Sequence, residues 1–418
     1  MKNNSERKRR IVLILFSAAV GSIIGAVVWG FMRVMHLLVT LLWDYIPNSI
    51  HIPGYTVILC LIGGVVIGLI QKYKGPCPDD LHQVMAKYKR DGKYPYGNIP
   101  FMLTAALLPL IFGGAVGPEA GLTGVIVGLC CWAGDNFKYA GKYISDLTEI
   151  GIAATLGVLF RSPLFGFVEP IENEDGGDDE FVMPKPSKIA TIFCASLAGL
   201  GTFVLLGKFF GMGAGMPKFE SVTVGKSEML FAIPILVIGM VLGYVYKIFE
   251  NTAAKVAELS IIKNRLFLKA VVAALVLGII GTFFPIAMFS GEEEIPKIGV
   301  SYLEYSPYVL ILISIVKVFL INVCIKLGWR GGNFFPLIFA GVCLGYACSA
   351  IFSVDPVFAV SVVAAATMTT IIRKPLAVTL LLLICFPISN LMYILAAAFI
   401  ASVVPVPKFL TPVNDGNN

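Results

Sequence analysis

Long apolar stretches, separated by short polar or glycine–proline segments, make up most of the chain. The first runs from Ile11 to Trp43 and the second from about Tyr55 to Ile70. Others cover Ile189–Leu206, Met229–Tyr246, Leu266–Met288, Tyr308–Ile325, Phe334–Phe352, Val357–Thr370 and Leu376–Val404. Such runs predict membrane-spanning helices, because a backbone in hydrocarbon must satisfy its own hydrogen bonds. Many fall short of the ~20 residues that a straight span requires. Phe101–Phe112 is too short to cross squarely, and Gly113-Gly114-Ala115-Val116-Gly117-Pro118 parts it from Ala120–Trp132. Glu149–Phe167 is mostly apolar and carries Arg161-Ser162-Pro163-Leu164.

The polar segments supply orientation. Residues 1–10 hold Lys2, Arg7, Lys8, Arg9 and Arg10, and the apolar run behind them is too long for a cleavable signal. Positive charge marks the cytoplasmic side, so a cytoplasmic N-terminus is expected. Two spans bring the chain back, and Gln71–Tyr96 is again rich in lysine and arginine. That segment contains Gly75-Pro76-Cys77-Pro78, a second break, ahead of a short predicted helix, Leu81–Tyr88. The acidic stretch Glu172–Glu180 reads as a solvated linker or a cation or partner site, and 405–418 as a short polar tail.

Composition sharpens the class. The 418 residues are 57% hydrophobic and 14% charged, too apolar for a soluble surface of this size, so the chain is an all-α polytopic membrane protein. The net charge of +6 is modest and sits in flanks, which gives a nucleic-acid partner no support. Nine cysteines show neither metal spacing nor a disulfide framework, and no cofactor or metal is expected. The three histidines, His36, His51 and His82, fit no metal or nucleophile pattern, which leaves an intramembrane enzyme without a site.

The breaks carry the candidate chemistry. Glycines allow a non-helical backbone, and a proline opens a helix whose first N–H groups lack intrahelical acceptors. With roughly +0.5 charge from the helix dipole, those donors suit an anion. Gly331-Gly332-Asn333-Phe334-Phe335-Pro336 repeats the Gly-Gly-x-x-x-Pro pattern, and Pro118 and Pro336 lie 218 positions apart. A second pair follows each break: Ala153–Leu164 and Ala365–Leu376 are identical at six of twelve positions, offset by 212. Interrupted helices in matching places of two halves suggest a transporter built by duplication.

These segments together resemble the CLC family of chloride channels and proton-coupled chloride transporters. Gly332-Asn333-Phe334-Phe335-Pro336 is similar to the family's G-x-F-x-P motif, and Gly114-Ala115-Val116-Gly117-Pro118 to the frame of G-(K/R)-E-G-P. Arg161-Ser162-Pro163-Leu164 and Ile372-Arg373-Lys374-Pro375-Leu376 resemble its two x-x-P-L segments. The resemblance covers most of the chain. It implies two inverted repeats of short, broken and tilted helices, about 11–210 and 226–404, within a transmembrane domain of 11–404. It also implies a homodimer with one pore per subunit and a multi-pass place in the plasma membrane among lipid. The anion site carried over comprises Gly75, Cys77, Val116, Gly117, Pro118 and Glu119 from the first half. The second half contributes Gly332, Asn333, Phe334, Phe335 and Pro336.

Departures from the family pattern shape the expected function. Val116 stands where the family has its gating glutamate, and Asn173 aligns with the internal proton-relay glutamate, beside Glu172. Gly75 replaces the serine of G-S-G-I-P, and the pore tyrosine near the family's C-terminus has no match, the last tyrosine being Tyr393. These absences resemble a short prokaryotic branch described only as ion-transport proteins. Glu119 is read in two ways, as a charge that favours the helix's positive end or as a displaced gate. Phe334 and Phe335 are pore walls or helix packing, Asn333 offers an amide donor, and Arg330 attracts anions to a vestibule or anchors the interface. The expected function is a passive anion (chloride) channel. The alternative is a proton-coupled antiporter using Glu119 with Glu172 or Glu169. Fluoride-selective members keep the gating glutamate, so Val116 counts against that variant.

Overall fold

The computed structural model describes residues 2–50, 52–79, 81–136, 144–162, 185–211, 218–220, 225–383, 385–407 and 410. Its regular structure is helical: α1 (Lys2–Val39), α2 (Ile46–Ser49), α3 (Tyr55–Lys74), α4 (Leu81–Asp91), α5 (Ile99–Ile111), α6 (Glu119–Asn136), α7 (Ile144–Leu159) and α8 (Lys185–Phe210). Then follow α9 (Lys226–Ala257), α10 (Leu266–Phe283), α11 (Glu294–Ser301), α12 (Pro307–Lys326), α13 (Phe334–Phe352), α14 (Pro356–Ile372), α15 (Pro375–Leu382) and α16 (Leu391–Val403). Among the described residues, seven helices are long and apolar enough to cross a membrane. The protein is an all-α, multi-pass membrane protein.

The chain forms two compact units. One comprises Met1–Trp43, Pro78–Leu107 and Pro118–Ala214; the other Asp44–Cys77, Leu108–Gly117 and Gly215–Asn418. In the first, α1 lies along α8 at backbone contact: a Cβ on Gly21 would sit 2.0 Å from the Ala195 carbonyl oxygen. Small residues allow this approach, which dispersion then rewards in a solvent that is itself apolar. Asp79 anchors the start of α4, accepting from Lys87 Nζ at 2.6 Å and the Tyr94 hydroxyl at 2.9 Å.

In the second unit α3 packs on α10, and α9, α12, α13 and α14 form the core. Most residues of α13 and α14 are buried, so these two helices are sheathed largely by protein. Prolines open α12, α14 and α15, where the missing N–H has no intrahelical role. Asp355 caps α14, its carboxylate accepting from the Val357 and Phe358 amides at 2.8 and 3.1 Å.

The apolar pattern misplaces some ends. The expected span Leu376–Val404 is two helices, α15 and α16, because Pro387 interrupts the run. The expected Leu266–Met288 stops at Phe283, ahead of Pro285. α9 continues past Tyr246 to Ala257, since Glu250 is paired with Lys247 and Lys326 and the polar turns are satisfied. The duplicated arginines behave alike: Arg161 after α7 and Arg373 after α14 have φ of +51° and +65°. Arg373 then donates to the carbonyls of Ala401, Ser402 and Val404 at 3.0, 3.0 and 2.7 Å, capping the end of α16.

Candidate functional site

Four interruptions of helix meet in the second unit. The first follows α3, where Gly75 takes a φ of +84° and Gly75-Pro76-Cys77 leaves the helix. Buried Gln71, in the last turn of α3, spans from this break to the one after α12. Its Nε2 donates to the Cys77 carbonyl at 3.2 Å and to the Gly328 carbonyl at 2.6 Å.

The second interruption ends α5. Gly113 has a φ of +87°, and the Gly114 amide closes onto the Pro109 carbonyl at 2.8 Å. A side chain at Gly114 would strike that carbonyl at 2.5 Å and the Trp329 ring at 3.0 Å. Ala115 and Val116 are fully buried. The third interruption, between α10 and α11, touches the second, for the Phe289 amide donates to the Gly113 carbonyl at 3.2 Å. Phe289 is held at a left-handed φ of +57°. Wholly buried Lys317 on α12 secures it, donating from Nζ to the carbonyls of Met288 and Phe289 at 2.8 and 2.7 Å, with the Phe339 ring 4.9 Å away.

The fourth interruption joins α12 to α13. Trp329 is buried and donates from Nε1 to the Ala270 carbonyl at 3.0 Å. Gly332 then pairs with Gly117 in both directions: Gly117 N–H to Gly332 C=O at 2.7 Å and Gly332 N–H to Gly117 C=O at 2.8 Å. A Cβ on Gly331 would lie 2.6 Å from Val116 Cγ2, so Val116 fills the space that a bare glycine leaves. The two duplicated motifs are thus a single piece of antiparallel backbone.

This pairing decides which donors remain for an anion. The amides of Gly117 and Gly332 are consumed by each other. The opening turn of α13 carries the field of the helix dipole toward the break, led by half-buried Asn333 and Phe334, with Phe335 and Pro336 buried behind them. The helix begins two residues before Pro336, whereas Pro118 immediately precedes α6. Asn333 Nδ2 donates to the Tyr246 hydroxyl oxygen at 3.3 Å. Glu119 lies in the first turn of α6, buried, with its carbonyl accepting from Thr123 Oγ1 at 2.7 Å. Glu169, Glu172 and Asn173 lie outside the described residues.

Gln71 and Lys317 join these breaks although neither belongs to a motif. Their signal was present, since a polar side chain in an otherwise apolar helix is costly unless it has work to do.

A family model described as voltage gated chloride channel matches residues 63–405. The chain belongs to the CLC family. This CLC protein is 24% identical over 345 residues to the "Putative ion-transport protein YfeO" of Escherichia fergusonii, covering 80% of this chain and 78% of that one. The same identity and coverage hold for the YfeO of Escherichia coli O1:K1 / APEC. Its fold is similar to the crystal structure of a slow cyanobacterial Cl−/H+ antiporter, with a TM-score of 0.76, 20% identity and coverage of 94% and 93%. It is likewise similar to a CLC-type fluoride/proton antiporter, at 0.74, 20%, 94% and 95%. Membership of the CLC family makes anion transport across a membrane the function of this fold.

Proposed function

We propose that this CLC protein is a passive chloride channel, in which the anion crosses beside the paired glycines and the head of α13. The observation that carries this reading is Val116. The residue at the centre of the Gly113–Pro118 break is apolar, fully buried and packed on Gly331, so it neither swings nor carries a proton. An anion loses hydration on entering such a site, and the preorganised dipole of α13 offsets that cost. Within the second unit the site comprises Gly75, Cys77, Val116, Gly117, Gly332, Asn333, Phe334, Phe335 and Pro336, while Pro118 and Glu119 belong to the first unit. Two subunits, each with its own pore, lie in the plasma membrane with cytoplasmic N-termini. Small residues on the helix faces are compatible with such an assembly.

A second reading, proton-coupled antiport, draws on Glu119, a buried carboxylate in the first turn of α6. Two of the similar structures are antiporters, and at 20% identity their likeness to this chain is one of fold alone. Reversal potentials in proteoliposomes separate the readings. A channel responds to the chloride gradient and ignores an imposed pH gradient. A reversal potential that moves with the pH gradient, or uphill proton movement driven by chloride, sinks the channel reading.

A further inference from the structure

A buried charge holds the interruption between α10 and α11 in an unfavourable shape. Phe289 keeps a φ of +57°, a left-handed conformation that a bulky side chain avoids unless its surroundings impose it. Lys317 imposes it: wholly buried on α12, it donates from Nζ to the carbonyls of Met288 and Phe289 at 2.8 and 2.7 Å. Phe289 in turn gives its amide to the Gly113 carbonyl at 3.2 Å. A displacement of Lys317 is therefore felt at the break that carries Val116.

A second group competes for that ammonium. Glu294 opens α11, and its Oε2 is buried with no hydrogen-bond partner among the described residues. Its Oε1 lies 4.0 Å from Nζ of exposed Lys297. The carboxylate's favourable neighbours are its own amide, Lys297 and, through space, Lys317. Lys317 nevertheless commits two of its three hydrogens to the loop carbonyls. A bare, ionised oxygen in a buried place is costly, so ionising Glu294 strengthens its pull on Lys317.

The other carboxylates of this loop are Glu293, which faces Glu294, and buried Glu292. From α12 and α13, Cys324 and Cys343 face Lys317, and the Tyr346 hydroxyl faces Gly299 of α11; these thiols and this phenol are uncharged in mild acid. Burial lifts the Glu294 carboxyl above its ordinary value, which brings its titration toward neutrality.

We propose that Glu294 is a proton-operated switch acting on the anion pathway through Lys317. Protonated, it leaves Lys317 to lock Phe289 onto Gly113. Ionised, it draws the ammonium away from the Met288 and Phe289 carbonyls, Phe289 relaxes from its left-handed φ, and the Gly113–Val116 break loosens. The switch rests on the anion-transport reading of these breaks, and it gives a pathway whose central residue is a valine a titratable control one contact away. Lys317 is the positioning residue that transmits it.

The test compares full-length wild type with Glu294→Gln, which mimics the protonated group. Hydrogen exchange of residues 284–293 is followed by mass spectrometry at about pH 5 and about pH 7.5, on either side of a moderately raised carboxyl. Chloride efflux from proteoliposomes is measured at the same two pH values. Comparison at equal pH cancels the intrinsic pH dependence of exchange and any contribution of Glu119, which both proteins share. The two proteins are expected to agree at the lower pH, whereas at the higher one the wild-type segment should exchange, and chloride should leave, about threefold faster than in the variant. Glu294→Asp, Glu293→Gln and Glu292→Gln should keep the pH dependence. A purely structural carboxyl would change both readouts by the same factor at the two pH values, and that result overturns the switch while leaving the channel reading intact. Loss of the pH dependence in Glu293→Gln or Glu292→Gln, with its retention in Glu294→Gln, overturns it as well. A wild type that passes no chloride overturns the channel reading, and the exchange comparison then decides the switch by itself. If Glu294→Gln does not fold, Glu294→Asp, with its carboxyl drawn back from Lys317, should shift the pH midpoint of exchange; an unchanged midpoint overturns the switch.

Discussion

Gly117 and Gly332, 215 residues apart in the chain, exchange both of their backbone hydrogen bonds, at 2.7 and 2.8 Å. The pair turns two loop segments into a minimal ladder in which no N–H or C=O of either glycine is left bare. In a protein that must keep irregular backbone at membrane depth, this is how two breaks satisfy each other. It also brings Val116 and Gly331 into contact, and that contact leads to the first prediction.

Gly331→Ala should lower stability by about 1–3 kcal/mol, because its Cβ would meet Val116 Cγ2 at 2.6 Å, Val116 Cβ at 2.7 Å and the Gly117 carbonyl at 3.0 Å. Adding Val116→Gly removes both side-chain contacts and should recover part of the loss. Melting temperatures of the single and double variants decide the matter; a double variant no better than Gly331→Ala alone would show that the strain lies elsewhere.

Gln71→Leu removes the donor that holds both the Cys77 and Gly328 carbonyls while keeping the side chain's bulk. Two carbonyls then lose their partner in a largely buried place, at a cost of about 1–3 kcal/mol. A clear fall in melting temperature, together with reduced chloride efflux, is expected. Unchanged melting would mean that the two breaks do not depend on this bridge.

Glu294, at the start of α11, supplies a pH dependence. Burial raises its carboxyl above the ordinary value of 4.5, while Lys317 and Lys297 pull it back and Glu293 adds to the rise. A raised value means that the folded state holds the proton more tightly than the unfolded chain. The stability from this group is therefore full below about pH 4.5 and is lost as pH rises through the folded value. Glu294→Gln should lose less stability than wild type between pH 4.5 and neutrality. Parallel curves would remove Glu294 from the account.

Glu119→Gln tests whether the buried carboxylate of α6 gates the anion. A carboxylate that competes for helix N–H groups should block when ionised and release when protonated. The variant is then expected to show higher flux and a flatter profile between mildly acidic and neutral pH. Flux indistinguishable from wild type at every pH, with about 0.3–1 kcal/mol lost in stability, leaves Glu119 as a dipole-stabilising residue only.

The sequence carried more of the fold than of the site. Glycine pairs, prolines and the Ala153–Leu164 and Ala365–Leu376 repeat marked where helices begin and end, because those residues act locally through φ, missing N–H groups and left-handed caps. Where a run of leucine, isoleucine and valine continued across Phe386–Pro387, hydropathy alone joined two helices that the backbone separates. Tyr246 was read only as the end of a span, since nothing within its own helix shows that Asn333 lies against its hydroxyl.

By itself the sequence determined a multi-pass helical membrane protein, duplicated in its motifs, with a valine where a titratable gate would sit. The helical class and the duplication follow from composition and the repeated motifs, and the valine at the gate position from the resemblance of that motif to the CLC family. Only the tertiary structure decided that Gly117 spends its amide on Gly332, that Gln71 ties two breaks together, and that Lys317 holds Phe289 against the Gly113 break. Each is a contact between residues far apart in the chain, made because buried backbone polar groups must find partners wherever the packing of helices brings them.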